Sequence, residues 1–319
     1  MAVYDVFNGD ADGICALLQL RKVEPLDSHL ITGVKRDIQL LKQVQPQAGD
    51  HINVLDVSMD KNKDDLIRVL EQGATVFYCD HHVAGDIPES AHLDALINTA
   101  PDICTSLLVN SRLKGACAEW AVVGAFGDNL KKSALALSSS LNLNQSELAL
   151  MENLGVYINY NGYGADLDDL HFHPAELYAV MKDYQRPLDF VSGDSDSFGK
   201  LEAGYIDDMN SARSAQVLRQ TSASYACLLP NEKWARRVSG VYGNALANES
   251  PDRAHAVITE RADNTYLISV RAPLNNKDKA DQLCGAFPTG GGRKAAAGVN
   301  ALPADMLEAF LDQLESTYR

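Results

Sequence analysis

The chain has 319 residues, 46% of them apolar and 22% charged, and a net charge of −15. That length exceeds an ordinary single domain, so two domains are expected, and no apolar run of about 18 residues is present to span a membrane. The acidic balance argues against a broad basic face that grips long nucleic acid, and leaves room for a small anionic substrate held locally.

The N-terminus lacks a basic n-region and meets Asp10 early, which does not fit a signal peptide. Residues 3–7 form a short apolar strand, followed by Asn8-Gly9-Asp10-Ala11-Asp12-Gly13 and a helix over 14–20. Asp10 and Asp12 are two apart and project from one turn toward one point. Two hard carboxylates at a helix N-terminus suit Mg²⁺ or Mn²⁺. An Asx-rich turn with Asp12 as helix cap is the plainer alternative. A strand over 30–34 and a helix over 38–44 follow, then a strand over 52–55 that ends in Asp56-Val57-Ser58. A helix over 65–72, closed by Gly73, leads into the run 74–79. That run is β-branched and aromatic and reads as a buried strand. It ends in Asp80-His81-His82, an acid and two imidazoles, which can bind a divalent metal or sit in a surface turn.

Strands alternating with helices imply βαβ units and a mostly parallel sheet. In such sheets ligands bind outside the carboxyl ends of the strands. Three acidic strand ends along one edge are harder to dismiss than any one alone. Helices over 104–109 and 118–126 pack on the sheet, and the second runs into Gly127-Asp128-Asn129, where Gly127 lets backbone approach a ligand.

The set NGDADG, LDVS, CDHH and GAFGDN, in this order, resembles the four motifs of the DHH phosphoesterase superfamily. That superfamily includes single-strand exonucleases, oligoribonucleases, small-nucleotide phosphodiesterases and polyphosphatases. The resemblance covers about the first 130 residues. It implies two divalent ions, Mn²⁺ first and Mg²⁺ as the alternative. Asp56 would bridge them. Asp10 would join it on one ion, and Asp12, His81 and Asp128 on the other. His82 would face the substrate phosphate, and Asp80 would orient the imidazoles. One departure is visible: relatives carry a His shortly before the first motif Asp, and here Asn8 is the nearest substitute.

Residues 133–141 and 146–154 read as helices. Tyr157, Tyr160 and Tyr163 either stack on a base or end a core helix. His171 and His173 are two apart, which suits a turn and not a helical ligand pair. Residues 186–199 read as an interdomain linker, and 207–220 as a connecting helix.

The C-terminal part carries strands over 254–259 and 265–270, joined at Asp263-Asn264 as a hairpin. A helix over 280–287 precedes Gly290-Gly291-Gly292-Arg293-Lys294. Consecutive glycines with adjacent cations make an anion site. The stretch 236–319 resembles the DHH-associated domain, with Arg293 where that family has a His and Arg271 at its Ser-x-Arg strand end.

The expected architecture is therefore two α/β domains: a metal-binding domain over 1–185 with a mostly parallel sheet, a linker and connecting helix over 186–235, and a substrate-binding domain over 236–319 with a mixed sheet. The active-site cleft is expected between them. The expected activity is hydrolysis of phosphodiesters in short oligonucleotides or small nucleotides from an end, by a two-metal mechanism. Asn8, His82, Arg271, Gly290, Gly291, Gly292 and Arg293 are expected to bind the substrate. An exopolyphosphatase is the enzymatic alternative, and a non-catalytic nucleotide-binding regulator the alternative of another class. The expected setting is cytoplasmic, in keeping with six scattered cysteines that suggest no disulfide framework. No membrane and no long duplex is expected as partner, and a homodimer stays open.

Overall fold

Five short strands in the first 97 residues build a wholly parallel sheet in the computed structural model, which describes residues 1–319. They are β1 (Val3–Phe7), β2 (His29–Ile31), β3 (His51–Leu55), β4 (Thr75–Asp80) and β5 (Leu93–Ile97). Their order is β2-β1-β3-β4-β5, so the chain winds one way from β1 and then reverses. The crevice between β1 and β3 is the switch point of this order, where ligands of open α/β sheets bind. Helix α1 (Ala11–Val23) follows β1, and α2 (Lys63–Glu71) leads into β4.

One face of the sheet buries Val6, Ile52, Val54, Val76 and Tyr78 against Leu40, Leu41, Leu66 and Val69. The helix expected over 38–44 is only a single 3-10 turn, Leu41–Gln43. Leu40, Leu41 and Val44 are fully buried, which explains the helix-like apolar spacing. The segment is held as a loop instead, because the Asn62 side chain accepts from Leu41 N–H and donates to the Ile38 carbonyl. Pro46 then disfavours helix at Gln45.

The helices α3 (Thr105–Arg112), α4 (Ala118–Gly127), α5 (Lys131–Ser138) and α6 (Gln145–Asn161) complete the first layer of packing. Asn144 caps α6 in a capping box with Glu147. Gly127 is required for a reason other than ligand approach. A Cβ there would lie 2.3 Å from the Ala11 Cβ and 2.8 Å from the Gly155 carbonyl oxygen. The helices α4 and α6 therefore meet backbone to backbone at this point, with the Ala11 methyl of α1 against them. Three further helices follow: α7 (Pro174–Met181), α8 (Pro187–Gly193) and α9 (Ser195–Arg213).

Two compact units result, 1–203 and 204–319. The stretch 186–235, expected as linker and connecting helix, contains the boundary between them. It folds as α8, α9, β6 (Gln216–Gln220) and β7 (Ser224–Leu229). The connecting helix expected over 207–220 ends at Arg213, and β6 is an edge strand with a register shift between Val217 and Arg219.

The second unit continues with α10 (Lys233–Glu249), β8 (Ala254–Glu260), β9 (Thr265–Arg271), α11 (Ala280–Gly285), β10 (Gly290–Arg293), β11 (Ala296–Pro303) and α12 (Leu307–Tyr318). Its sheet is mixed, in the order β10-β11-β9-β8-β7-β6, with only β7 and β8 parallel. Alternate residues serve opposite faces. Ala226, Ala256 and Ile258 pack with Leu283, Phe310 and Leu314. Cys227, Leu229 and Val257 pack with Ala235, Val238 and Tyr242. Asn264 closes the β8–β9 hairpin in the left-handed conformation, at φ 57°.

All six cysteines are free and buried, and no helix is long and apolar enough to cross a membrane.

Candidate metal centre

Strands β1, β3 and β4 are neighbours, so their carboxyl ends lie side by side. Beyond β1 stand Asn8, Asp10 and Asp12; beyond β3, Asp56; at the end of β4, Asp80, His81 and His82. Asp128 arrives from the end of α4. Of the residues singled out in the sequence, these eight are brought together at one sheet edge.

The His81 Nε2 lies 3.5 Å from Asp56 Oδ1, 3.8 Å from Asp128 Oδ2 and 4.0 Å from Asp12 Oδ2. Ligands about 2.1 Å from a common ion are about 3 Å apart, so a small inward shift would let these atoms share one ion. The ring is set for that role. Its Nδ1 sits 3.0 Å from the Ile103 carbonyl oxygen, which can only accept, so Nδ1 carries the proton and Nε2 keeps its lone pair.

His82 is held differently. Its Nδ1 donates to Asp80 Oδ1 at 2.7 Å, and its side chain is 46% exposed. The hydrogen bond to the buried Asp80 outweighs partial burial and raises the His82 pKa above its ordinary value. The other Asp80 oxygen is buried without a hydrogen-bond partner.

Asp56 occupies the left-handed region at φ 58°, which few side chains other than Asn and Asp adopt. Its N–H donates to the Cys79 carbonyl at 3.0 Å, and its Oδ1 accepts from Thr105 Oγ1 at 3.1 Å. Burial first, and then Asp10, Asp12, Asp80 and Asp128, push the Asp56 carboxyl well above the usual range. Burial, and then Asp12 and Asp10, push Asp128 up to about 7. Buried like charges are costly without a partner of opposite sign. This donor set of carboxylates and one imidazole nitrogen fits a divalent ion.

The helix-capping roles differ from the sequence expectation. Asp10, not Asp12, caps α1, through Oδ1 to the N–H groups of Asp12 and Gly13 at 3.0 and 3.2 Å. The two Asp12 oxygens accept the N–H groups of Thr105 and Ser106, both at 2.7 Å, at the start of α3. Asn8 is engaged within its own loop: its Oδ1 accepts from Asp10 N–H, and its Nδ2 approaches the Lys35 carbonyl at 3.4 Å.

Lys35 and Asn159 were not singled out in the sequence. The Lys35 ammonium lies 2.5 Å from Asp10 Oδ2 and 2.8 Å from Asn159 Oδ1. Burial would lower its pKa, but Asp10 and then Tyr163 outweigh burial and hold the ammonium more firmly protonated than an ordinary lysine. The Tyr163 ring lies beside it, 5.7 Å from Nζ to centroid. Tyr157 and Tyr160 are buried in the core, as the helix-end alternative has it. His173 caps α7 by accepting from Ala175 N–H, and His171 packs near Tyr160.

The remaining candidates lie in the second unit. Arg271 donates to the Gly240 and Val270 carbonyls, to Ser269 Oγ and to Asn244 Oδ1. Gly290 to Arg293 form the edge strand β10, paired with β11. Its glycines are steric necessities as much as turn formers. A Cβ on Gly290 would strike the Cys284 carbonyl at 1.8 Å, and one on Gly292, at φ 145°, would lie 2.5 Å from the Ala297 Cα. Gly291 has open space, and Arg293 is exposed.

No protein-family model matches the sequence, and no curated protein matches it. Solved structures do. The exonuclease RecJ bound to manganese aligns at TM-score 0.62 and 15% identity, over 99% of this chain and 90% of that one. RecJ from Thermus thermophilus in complex with Mn²⁺ aligns at 0.63 and 17%, over 99% of this chain and 52% of that one. A pGpG-specific phosphodiesterase from Vibrio aligns at 0.59 and 13%, over 100% and 99%.

Proposed function

We propose that this chain, which has the fold of the DHH phosphoesterases, is a divalent-metal-dependent phosphoesterase acting on short oligonucleotides or small nucleotides. The observation that carries the reading is the convergence of Asp12, Asp56, His81 and Asp128, donors within 4.0 Å of the His81 Nε2. Those four residues would hold the ion. When bound, the ion would supply positive charge against the phosphoryl oxygens and lower the pKa of water.

The chain's own groups do the rest. Asp80 fixes the His82 ring orientation and favours its protonated form, in which His82 Nε2–H can donate to a phosphoryl oxygen or to the departing oxygen. Thr105 and the start of α3 hold Asp56 and Asp12 in place. Arg271 and Arg293 are proposed to bind substrate phosphate in the second unit. Arg293, exposed on the glycine strand, is free to fork onto a phosphate, and a guanidinium does so bidentately where the family's imidazole cannot. The net charge of −15 and the nucleotide-processing activities of RecJ and the Vibrio phosphodiesterase support the substrate class.

The test compares turnover of a dinucleotide, a long single strand and polyphosphate with Mn²⁺ and after chelation. The expected result is Mn²⁺-dependent cleavage of the dinucleotide, lost in Asp56→Asn. Wild-type turnover by Asp56→Asn would sink the reading, and a preference for polyphosphate would replace the substrate with a phosphoanhydride. In Arg293→Ala, kcat/KM should fall about 10- to 150-fold, from about 1.5–3 kcal/mol for a charged hydrogen bond.

A further inference from the structure

The residues of the first ion's expected site do not fit a second divalent cation. Asp12 meets only backbone N–H groups, whereas Asp10 Oδ2 already holds a cation, the Lys35 ammonium at 2.5 Å. Asn8, the substitute for the family's His, spends its amide on Asp10 N–H and the Lys35 carbonyl. The nearby imidazole, His82, has its Nδ1 spent on Asp80 Oδ1 at 2.7 Å. An ion on Asp10 Oδ2 would share one carboxylate oxygen with an ammonium, and two cations at such range repel strongly in a buried site.

Lys35 is also a built feature. Its backbone N–H donates to the Gly162 carbonyl at 2.8 Å, its ammonium donates to Asn159 at 2.8 Å, and the Tyr163 ring flanks it. The lysine side chain is 26% exposed and the Asp10 side chain 3%. Three segments distant in sequence, the turn after β1, the loop after β2 and the end of α6, thus converge on one ammonium.

We infer that Lys35 stands in place of the first metal ion, so that the centre pairs a single divalent cation at Asp12, Asp56, His81 and Asp128 with a fixed lysine charge beside Asp10. The inference rests on the reading of this edge as a metal-dependent centre, but it does not depend on the substrate. A fixed ammonium offers charge and hydrogen-bond donors at the Asp10 side without requiring a second ion.

The test counts ions in the absence of substrate. Metal-free full-length protein is titrated with Mn²⁺ by calorimetry, and the loaded protein is examined by native mass spectrometry and Mn²⁺ paramagnetic resonance. The expected result is one ion per wild-type chain, with the spectrum of an isolated Mn²⁺. Lys35→Ala, which frees Asp10 Oδ2, should bind two ions and show a spin-coupled pair. Two tight ions with a coupled spectrum in the wild type would overturn the inference, whether or not the variant folds. A folded Lys35→Ala that still binds one ion would overturn it as well. Failure to cleave any phosphoester would instead count against the proposed function and leave the ion count standing.

Discussion

Asp128 keeps its proton to about pH 7 in the metal-free protein, because burial and the neighbouring Asp12 and Asp10 disfavour its charge. In the unfolded chain the same carboxyl titrates near about 3.9. The folded state therefore binds this proton more tightly. Its stabilisation is full below about pH 4 and is lost as pH rises to about 7. The raised Asp56 acts in the same direction, and the lowered Asp10 acts only in the acid range. The melting temperature of chelated protein should fall from pH 5 to pH 8, and Mn²⁺ at pH 8 should restore it by taking the place of the protons. Scanning calorimetry checks this, and a flat or rising profile without metal would count against it. At this scale the carboxylates and imidazoles were legible, since each follows a buried strand or an apolar helix. Lys35 was not. It lies 25 residues from Asp10 and 124 from Asn159, and no local spacing links them. The link is made by sheet order, which puts β2 directly beside β1.

Among the elements, β1 and α1 are fastened below the centre by a buried ion pair. Arg21 meets Asp5 through Nε at 2.7 Å and Nη2 at 2.5 Å, and Asp5 also accepts from Asn53 on β3 and from Ser28. Asp5 is fully buried. Replacing Arg21 by Met would leave that carboxylate without its cation, at a cost of about 3–5 kcal/mol. Urea unfolding should show the loss as a lower midpoint with little change in slope. A variant within about 0.5 kcal/mol of wild type would mean the pair contributes no net stability. The strands and helices of the first unit were largely readable from alternation and apolar runs. The Pro, Gly and Ser content of 186–199 reads as a linker, while α8 and α9 start from those same residues. Pro187 begins α8 and Ser195 begins α9, so punctuation marked helix starts and not a gap.

For the whole molecule, charge sets the terms of association. A net charge of −15 spread over the chain works against gathering a long polyanion, so binding must come from a few fixed cations. Two arginine contacts to a single strand would give a slope of log K against log salt of about −1.4, at about −0.7 per contact. Filter binding or fluorescence anisotropy with a long single strand and inactive Asp56→Asn protein should return a slope no steeper than about −2. A much steeper slope would reveal an extended basic track that the sequence does not contain.

The six buried thiols have a consequence for handling and for measurement. Cys15, Cys79, Cys104 and Cys117 lie in the first unit, and Cys227 and Cys284 in the second. A maleimide or iodoacetamide reagent can reach them only when the surrounding structure opens. Labelling followed by peptide mapping would therefore time the breathing of each half separately, with the native cysteines as the clocks and no engineered probe. Cys79, one residue before Asp80, would report how firmly a bound ion holds the strand edge shut.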